Sequence, residues 1–413
     1  MAALNESVTF EGRGTLRGAL GVTAIGLAGT LVGFSVARRD AYFAYLTAFT
    51  FATSIALGSL IFVMIGYAVS AKWNVVLRRL SESVTSVLPL LGVLFIPIAF
   101  GLRDLYLWTN PSPDLAPHEL GVLHHRQLYL NAPFFVARSV VYFAIWVLCA
   151  WLLWRWSLGK DARAGSDTAS SATLARPGTG LPDPSTSRER SFSSALLAPV
   201  CLALTFAAFD WLMSLEPLWS STMFGVYYFA GGFVASFGVL SVLSFLARRR
   251  VSERLIRPTH FHALGRLMLG FTVFWAYCAF FQAMLTQMAN EPREIPYYVA
   301  RTTGGFRELT IALALTHFAI PFFLLLPRGI KFRPGAMAAI GAWIVLSHYL
   351  DVLWMIVPVE HATSGLVAVW YASALALVAG ACVAFAAFLL QGKALVPIGD
   401  PRLEQSIAYR SPT

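Results

Sequence analysis

Apolar blocks of about twenty residues recur along the whole chain, and each is nearly free of charged side chains. Crossing the roughly 30 Å hydrocarbon core of a bilayer takes about 20 apolar residues, since a helix rises about 1.5 Å per residue. Only 13% of the residues are charged, against about 25% in a typical soluble domain. The sequence therefore predicts an all-α integral membrane protein of about ten transmembrane helices. The predicted spans are 15–36, 42–70, 83–102, 133–155, 193–215, 221–247, 264–289, 305–327, 335–358 and 365–391.

These spans divide the chain into five parts. They are an N-terminal segment 1–14, transmembrane helices one to four within 15–156, a loop 157–192, helices five to ten within 193–391, and a C-terminal tail 392–413. The loop is rich in Ser, Thr, Pro, Gly and Ala, a composition that buries too little apolar surface to fold alone. We expect a flexible loop there. The third span contains Pro89 and Pro97 and follows an amphipathic stretch, 73–80.

The distribution of charge predicts how the helices are oriented. The formal net charge is +10, but Lys and Arg fall in short segments between apolar blocks, which argues against nucleic acid as a partner. Most of them lie in the segments on the same side as the N-terminus, and cytoplasmic loops carry such an excess. With an even number of helices, both ends of the chain are predicted to be cytoplasmic.

The cysteines give no sign of a metal centre. There are four, at positions 149, 201, 278 and 382, and each lies inside an apolar block. No CxxC or CxxCH pattern occurs, so iron–sulfur ligation and covalent haem attachment have no sequence support. We expect buried small side chains and no metal bound by this chain.

Ionisable side chains inside a bilayer are costly, and those that persist often mark a pathway for ions or protons. The predicted proton-relay residues are Asp210, His317, His348, Asp351 and Glu308, and the predicted contacts for a quinone head group are Gln282, Arg138, His348 and Asp351. Carboxylates and imidazoles exchange protons readily. The alternatives are hydrogen bonds that only hold helices together, such as an Arg138–Asp210 pair, and a b-type haem held between His317 and His348.

Five segments keep a recognisable order along the chain. They are LYLNAPFFVARSVVYFAIW (128–146), FDWLMSLEPLWSSTMFGVYYFAGGF (209–233), FWAYCAFFQAMLTQMANEP (274–292), THFAIPFFLLLPRGIKFRP (316–334) and SHYLDVLWMIVP (347–358). Together they resemble the ActF-like membrane subunits (quinone-binding subunit 2) of bacterial alternative complex III, within the NrfD-like, or polysulfide-reductase membrane-anchor, family. The resemblance covers roughly residues 20–390.

The resemblance implies a fold of two four-helix bundles plus two flanking helices in the bacterial inner membrane. It also implies a subunit without redox centres of its own, whose partners are a sister polytopic subunit, a multihaem cytochrome c and an iron–sulfur subunit. The haem c and iron–sulfur clusters would belong to those partners. The expected function is support of quinol binding, proton translocation, or both, in a quinol:cytochrome c (or other acceptor) oxidoreductase. A stand-alone secondary transporter and a structural anchor without ligand are the alternatives.

Overall fold

The computed structural model describes residues 9–166 except 112 and 114, and then 186–292, 294–360 and 365–411. The residues described are 80% helical, and they contain ten helices that are long and apolar enough to cross a membrane. The protein is therefore an all-α, multi-pass membrane protein, as predicted. The ten helices are α1 (Arg13–Val36), α2 (Arg38–Ala68), α3 (Val75–Phe100), α4 (Ala132–Ala164), α5 (Ser187–Leu215), α6 (Phe224–Arg250), α7 (Pro258–Ala289), α8 (Phe306–Leu325), α9 (Pro334–Glu360) and α10 (Val367–Leu390).

The helices pack as two groups of four with a flanking pair. Helices α2 to α5 form the first bundle, and α6 to α9 form the second bundle. Helices α1 and α10 pack against each other, and both also contact α2. The helix contacts thus give the arrangement that the resemblance implies.

Small residues bring the two bundles close together along α2 and α6. A methyl group on Gly58 of α2 would lie 2.8 Å from the carbonyl oxygen of Gly232 on α6. On α9, Gly341 opposes Gly238 of α6 in the same way. Interfaces between membrane helices favour small residues because backbone contact and packing, not water exclusion, hold them together. Helix α2 is consequently the most buried of the ten, with 89% of its apolar window inside the protein.

Helix α3 begins earlier than the predicted span. The predicted span begins at residue 83, after an amphipathic stretch, but the helix starts at Val75 and its first segment is buried. Arg78 and Arg79 both bond to Glu82 within that segment, so the charges are compensated and burial is tolerated. The helix is then interrupted near Pro89 and Pro97, since proline lacks the N–H of the helical ladder.

The loop and the tail also differ from the prediction. Helix continues from α4 to Ser166 and resumes at Ser187, so the predicted loop 157–192 is helical at both margins, and its middle, 167–185, lies outside the described residues. The tail folds back onto the bundles, where Arg78 pairs with Asp400 at 2.6 Å. On the same side of the molecule, the backbone N–H of Phe10 donates to the carbonyl oxygen of Lys393. We call this side the terminal end, and the opposite side the loop end.

Candidate functional site

A widened helical turn carries His317. Residues Ala314–Ala319 of α8 form a π-helical turn between two α-helical segments. Pro321 follows four residues after His317, and a proline ring clashes with the carbonyl group of residue i−4 in a regular helix. The wider turn removes that clash, and such turns are frequent at functional sites. The carbonyl oxygen of Thr316 accepts hydrogen bonds from Trp343 Nε1 at 2.8 Å and Ser347 Oγ at 3.0 Å, both on α9.

This turn directs His317 toward two ionisable residues of α9. His317, His348 and Asp351 are all buried, with ligand atoms within 4.8 Å of one another. The rings of His317 and His348 are 6.0 Å apart between centroids, and His348 Nδ1 lies 3.5 Å from Asp351 Oδ2. His348 and Asp351 are three residues apart, so they share one face of α9. We call these three residues the histidine–aspartate cluster.

Neutral donors surround the carboxylate of Asp351. The Tyr227 hydroxyl donates a short hydrogen bond to Oδ1, and Trp275 Nε1 donates to Oδ2 at 3.1 Å. Among the residues described, no Lys or Arg bonds to Asp351; its one ionisable partner is His348. Gly231 of α6 allows this approach, since a methyl group there would lie 2.8 Å from Asp351 Oδ2. The carboxylate is therefore bonded by a phenol and an indole, neither of which carries a positive charge.

The two imidazoles of the cluster differ in their hydrogen bonds. His348 Nε2 lies 2.8 Å from Ser54 Oγ of α2, which ties the cluster to the first bundle. Neither ring nitrogen of His317 has a hydrogen-bond partner among the described residues, although the ring is only 1% exposed. Its ring instead packs 4.2 Å from the ring of Trp275. Among the described residues, His348 is thus hydrogen-bonded to the first bundle, whereas His317 is held by ring packing.

The same three residues could in principle hold a transition metal, since two imidazoles and a carboxylate form a known ligand set. Both oxygens of Asp351 already accept hydrogen bonds, from Tyr227 and Trp275, and Ser54 faces one nitrogen of His348. A metal would have to displace these groups. The Trp275 ring packed against His317 likewise occupies space that a haem would need. The geometry thus fits proton exchange better than ligation.

Asp210 belongs to a separate cluster in the first bundle. Arg138 of α4 bonds to both of its oxygens, at 2.8 and 2.9 Å. The Tyr142 hydroxyl donates to Oδ2 at 2.8 Å, and the guanidinium of Arg138 also lies over the ring of Tyr129, 3.8 Å from its centroid. The predicted Arg138–Asp210 pair is present. Asp210 does not join the histidine–aspartate cluster, and we call this second group the arginine–aspartate clamp.

The remaining predicted residues lie apart from both clusters. Gln282 of α7 donates a hydrogen bond to Ser221, which precedes α6 at the loop end. Glu308 is exposed on the first turn of α8. Arg138 and Gln282 are thus not brought to His348 and Asp351, and the four residues predicted to contact a quinone do not form a single pocket.

A cavity of about 990 Å³ opens at the loop end. Residues from the segments that follow α3, α5 and α7, and from the end of α9, line it, including Tyr106, Glu216, Trp219 and Tyr297. The rings of Trp219 and Tyr297 stack 3.7 Å apart, and burial raises the pKa of Tyr297 above its ordinary value, which keeps that phenol protonated. This loop-end cavity is large enough for a small ligand or a chain of waters.

Three residues that complete these sites were not predicted from the sequence. Tyr227 and Trp275 lie in two of the segments that carry the resemblance, and both bond to Asp351. Arg301 is buried and pairs with Glu216 at 3.0 Å. Phenol and indole groups on facing helices give no separate signal in a sequence this rich in aromatic residues. No family model and no curated protein matches the sequence.

Proposed function

We propose that this chain is a membrane subunit of a quinol-oxidising respiratory complex of the alternative complex III type, and that its own task is proton transfer. The observation that carries this proposal is the histidine–aspartate cluster. It combines a buried carboxylate held by neutral donors with two buried imidazoles, one of which has no hydrogen bond within the described residues. A carboxylate that only joined helices would be expected to have a cationic partner, as Asp210 has.

The proposed orientation places the terminal end in the cytoplasm of a bacterium and the loop end on the periplasmic side of its inner membrane. Basic residues support this assignment, because they concentrate at the terminal end, as in Arg248, Arg249 and Arg250 at the close of α6. Cytoplasmic loops carry such an excess of Lys and Arg. Asp351 then lies roughly 13 Å inside the loop end of α9, at about 1.5 Å per residue from Glu360.

The proposed chemistry divides between this chain and its partners. Oxidation of a quinol to a quinone releases two electrons and two protons. The electrons would pass to haem c and iron–sulfur centres in partner subunits, beside a sister polytopic subunit. In this chain, Asp351 would accept a proton, with the Tyr227 hydroxyl stabilising its charged form, and would exchange it with His348 and His317. A proton relay needs groups of this kind in contact, and histidine is the side chain best matched to neutral pH.

Quinone binding by this chain stays a prediction. The groups predicted to contact a head group are divided between the two bundles and the loop end, as described above. Of the tentative set, His348 and Asp351 lie together, and they are enclosed by Tyr227, Trp275 and Ser54. This packing favours proton transfer over quinone binding at the cluster.

The first experiment is gentle extraction of the tagged chain from its native host, followed by mass spectrometry and a visible spectrum. We expect a multihaem cytochrome c, an iron–sulfur protein and a second large polytopic subunit to copurify. Quinol-driven proton release by the assembled complex is then measured with wild type and with Asp351→Asn. A colourless single species would contradict the respiratory proposal and turn attention to transport, and unchanged proton release in Asp351→Asn would leave a structural anchor.

A further inference from the structure

Helix α9 loses a backbone hydrogen bond one turn beyond Asp351. Pro358 lies inside the helix and has no N–H, so the carbonyl group of Trp354 has no partner at the i+4 position. Trp354 follows Asp351 by three residues and lies about one turn further along the helix. A buried carbonyl group without a partner is costly. The turn that directly follows Asp351 therefore needs a donor from elsewhere.

Arg301 supplies that donor from the segment between α7 and α8. Its Nε donates to the Trp354 carbonyl oxygen at 3.3 Å, and its Nη2 donates to that of Met355 at 2.9 Å. The side chain is 1% exposed, and its guanidinium lies 3.5 Å from the ring centroid of Tyr297. A planar guanidinium with several fixed donors suits this task. One arginine thus bonds the two carbonyl groups at the proline break.

Glu216 anchors Arg301 on the side of the loop-end cavity. Its carboxylate accepts from Arg301 Nη1 at 3.0 Å, and its side chain is 23% exposed and lines the cavity. The pair joins the segment after α5 to the end of α9. It therefore links a residue of the cavity wall to the carbonyl groups of Trp354 and Met355, about one turn beyond Asp351.

We propose that Arg301 is a positioning residue for Asp351. It replaces the hydrogen bond that α9 loses at Pro358 and, anchored by Glu216, fixes the turn that presents the carboxylate to Tyr227, Trp275 and His348. The consequence for proton transfer rests on the proposed function above. The effect on α9 itself does not depend on it.

The test combines Arg301→Met with Pro358→Ala, which gives α9 back its missing N–H. In Arg301→Met we expect hydrogen–deuterium exchange of the peptide covering 352–360 to rise about tenfold, since hydrogen bonds from a charged group are lost. Proton release by the assembled complex should fall by a similar factor. In the double variant both values should return at least halfway to wild type. Arg307→Met, at an exposed arginine nearby, is the matched control and should change neither.

The outcomes separate the two proposals. Unchanged exchange in Arg301→Met, or no recovery on adding Pro358→Ala, overturns the positioning role. Faster exchange with unchanged proton release, while Asp351→Asn abolishes release, overturns the link to Asp351. If Asp351→Asn leaves proton release by the assembled complex unchanged, the proposed function alone is overturned. If Arg301→Met fails to assemble, Glu216→Gln takes its place and should raise exchange about threefold, and an unchanged rate there overturns the proposal.

Discussion

The two bundles each bury an aspartate completely, and they stabilise it in opposite ways. In the first bundle, both oxygens of Asp210 bond to the guanidinium of Arg138, so the charge is neutralised where it lies. In the second bundle, Asp351 accepts hydrogen bonds from a phenol and an indole, and an imidazole nitrogen lies 3.5 Å away. Asp210 is thus bonded by a fixed cation, whereas Asp351 has two histidines beside it and no Lys or Arg among the described residues that bond to it. An aspartate thus stabilises the packing of helices in the first bundle and, we propose, transfers protons in the second.

The largest effect is expected from Asp351→Asn. The amide oxygen keeps an acceptor for Trp275, and the Tyr227 hydroxyl can accept from the amide nitrogen. The amide cannot take up a proton, so quinol-driven proton release should fall by about 100-fold or more. The yield and thermal stability of the complex should stay close to those of wild type, because no buried countercharge is left unpaired. Proton release is followed with a pH-sensitive dye in vesicles that contain the assembled complex. A stable variant with normal release would remove the distinction between the two aspartates.

Asp210→Asn should act on stability instead. It leaves Arg138 without its countercharge in a largely buried position, at a cost of about 3 kcal/mol. We expect a lower midpoint of thermal unfolding in detergent and a poorer yield of assembled complex, with proton release per assembled complex unchanged. The double variant Asp210→Leu with Arg138→Met removes both charges and should recover at least half of the loss, as replacement of a buried pair by apolar groups often does. Lost proton release in well-assembled Asp210→Asn would contradict the structural role.

The sequence predicted the helices well because a bilayer imposes length and apolarity on every span. It named His348 and Asp351 together as proton-relay residues, and their spacing of three residues puts them on one face of α9. It could not show that Asp210 lies in another bundle, since depth along a helix can be estimated from sequence and lateral position cannot. The early start of α3 was missed for a related reason, since Arg78 is tolerated there only because Glu82 and the distant Asp400 neutralise it.

A third buried carboxylate, Asp400 in the tail, extends the comparison outside the spans. Burial alone would raise the pKa of this carboxyl, but the charges of Arg78 and Arg402 outweigh it and hold the pKa below the ordinary value. Its contribution is therefore complete above the unfolded pKa of about 3.9 and is lost as the pH falls toward the lower folded value. Asp400→Asn should cost about 2 kcal/mol at pH 7.

The measurement is thermal unfolding of wild type and Asp400→Asn between pH 3 and pH 7, about one unit below and three above the carboxyl's ordinary pKa. The difference in unfolding temperature between the two proteins should be constant at neutral pH. It should narrow below about pH 4, where the wild type begins to lose the interaction of Asp400 with the arginines. Glu404→Gln, at an exposed residue of the same tail, should leave the curve unchanged. A difference that grows in acid would show that the folded pKa is raised instead, and that the arginines do not dominate.

The smallest effect is expected where the π-helical turn is held against α9. Trp343→Phe keeps the ring but removes the Nε1 donor to the Thr316 carbonyl group, at a cost of about 1 kcal/mol. Ser347 still donates to the same oxygen, so the turn should persist and proton release should fall only about threefold, through a less well fixed His317. Trp151→Phe, at another exposed tryptophan facing outward from α4, is the control. If Trp343→Phe lost as much proton release as Asp351→Asn, the ionisable groups alone would not explain the difference between the two bundles. The π-helical turn itself would then contribute to it.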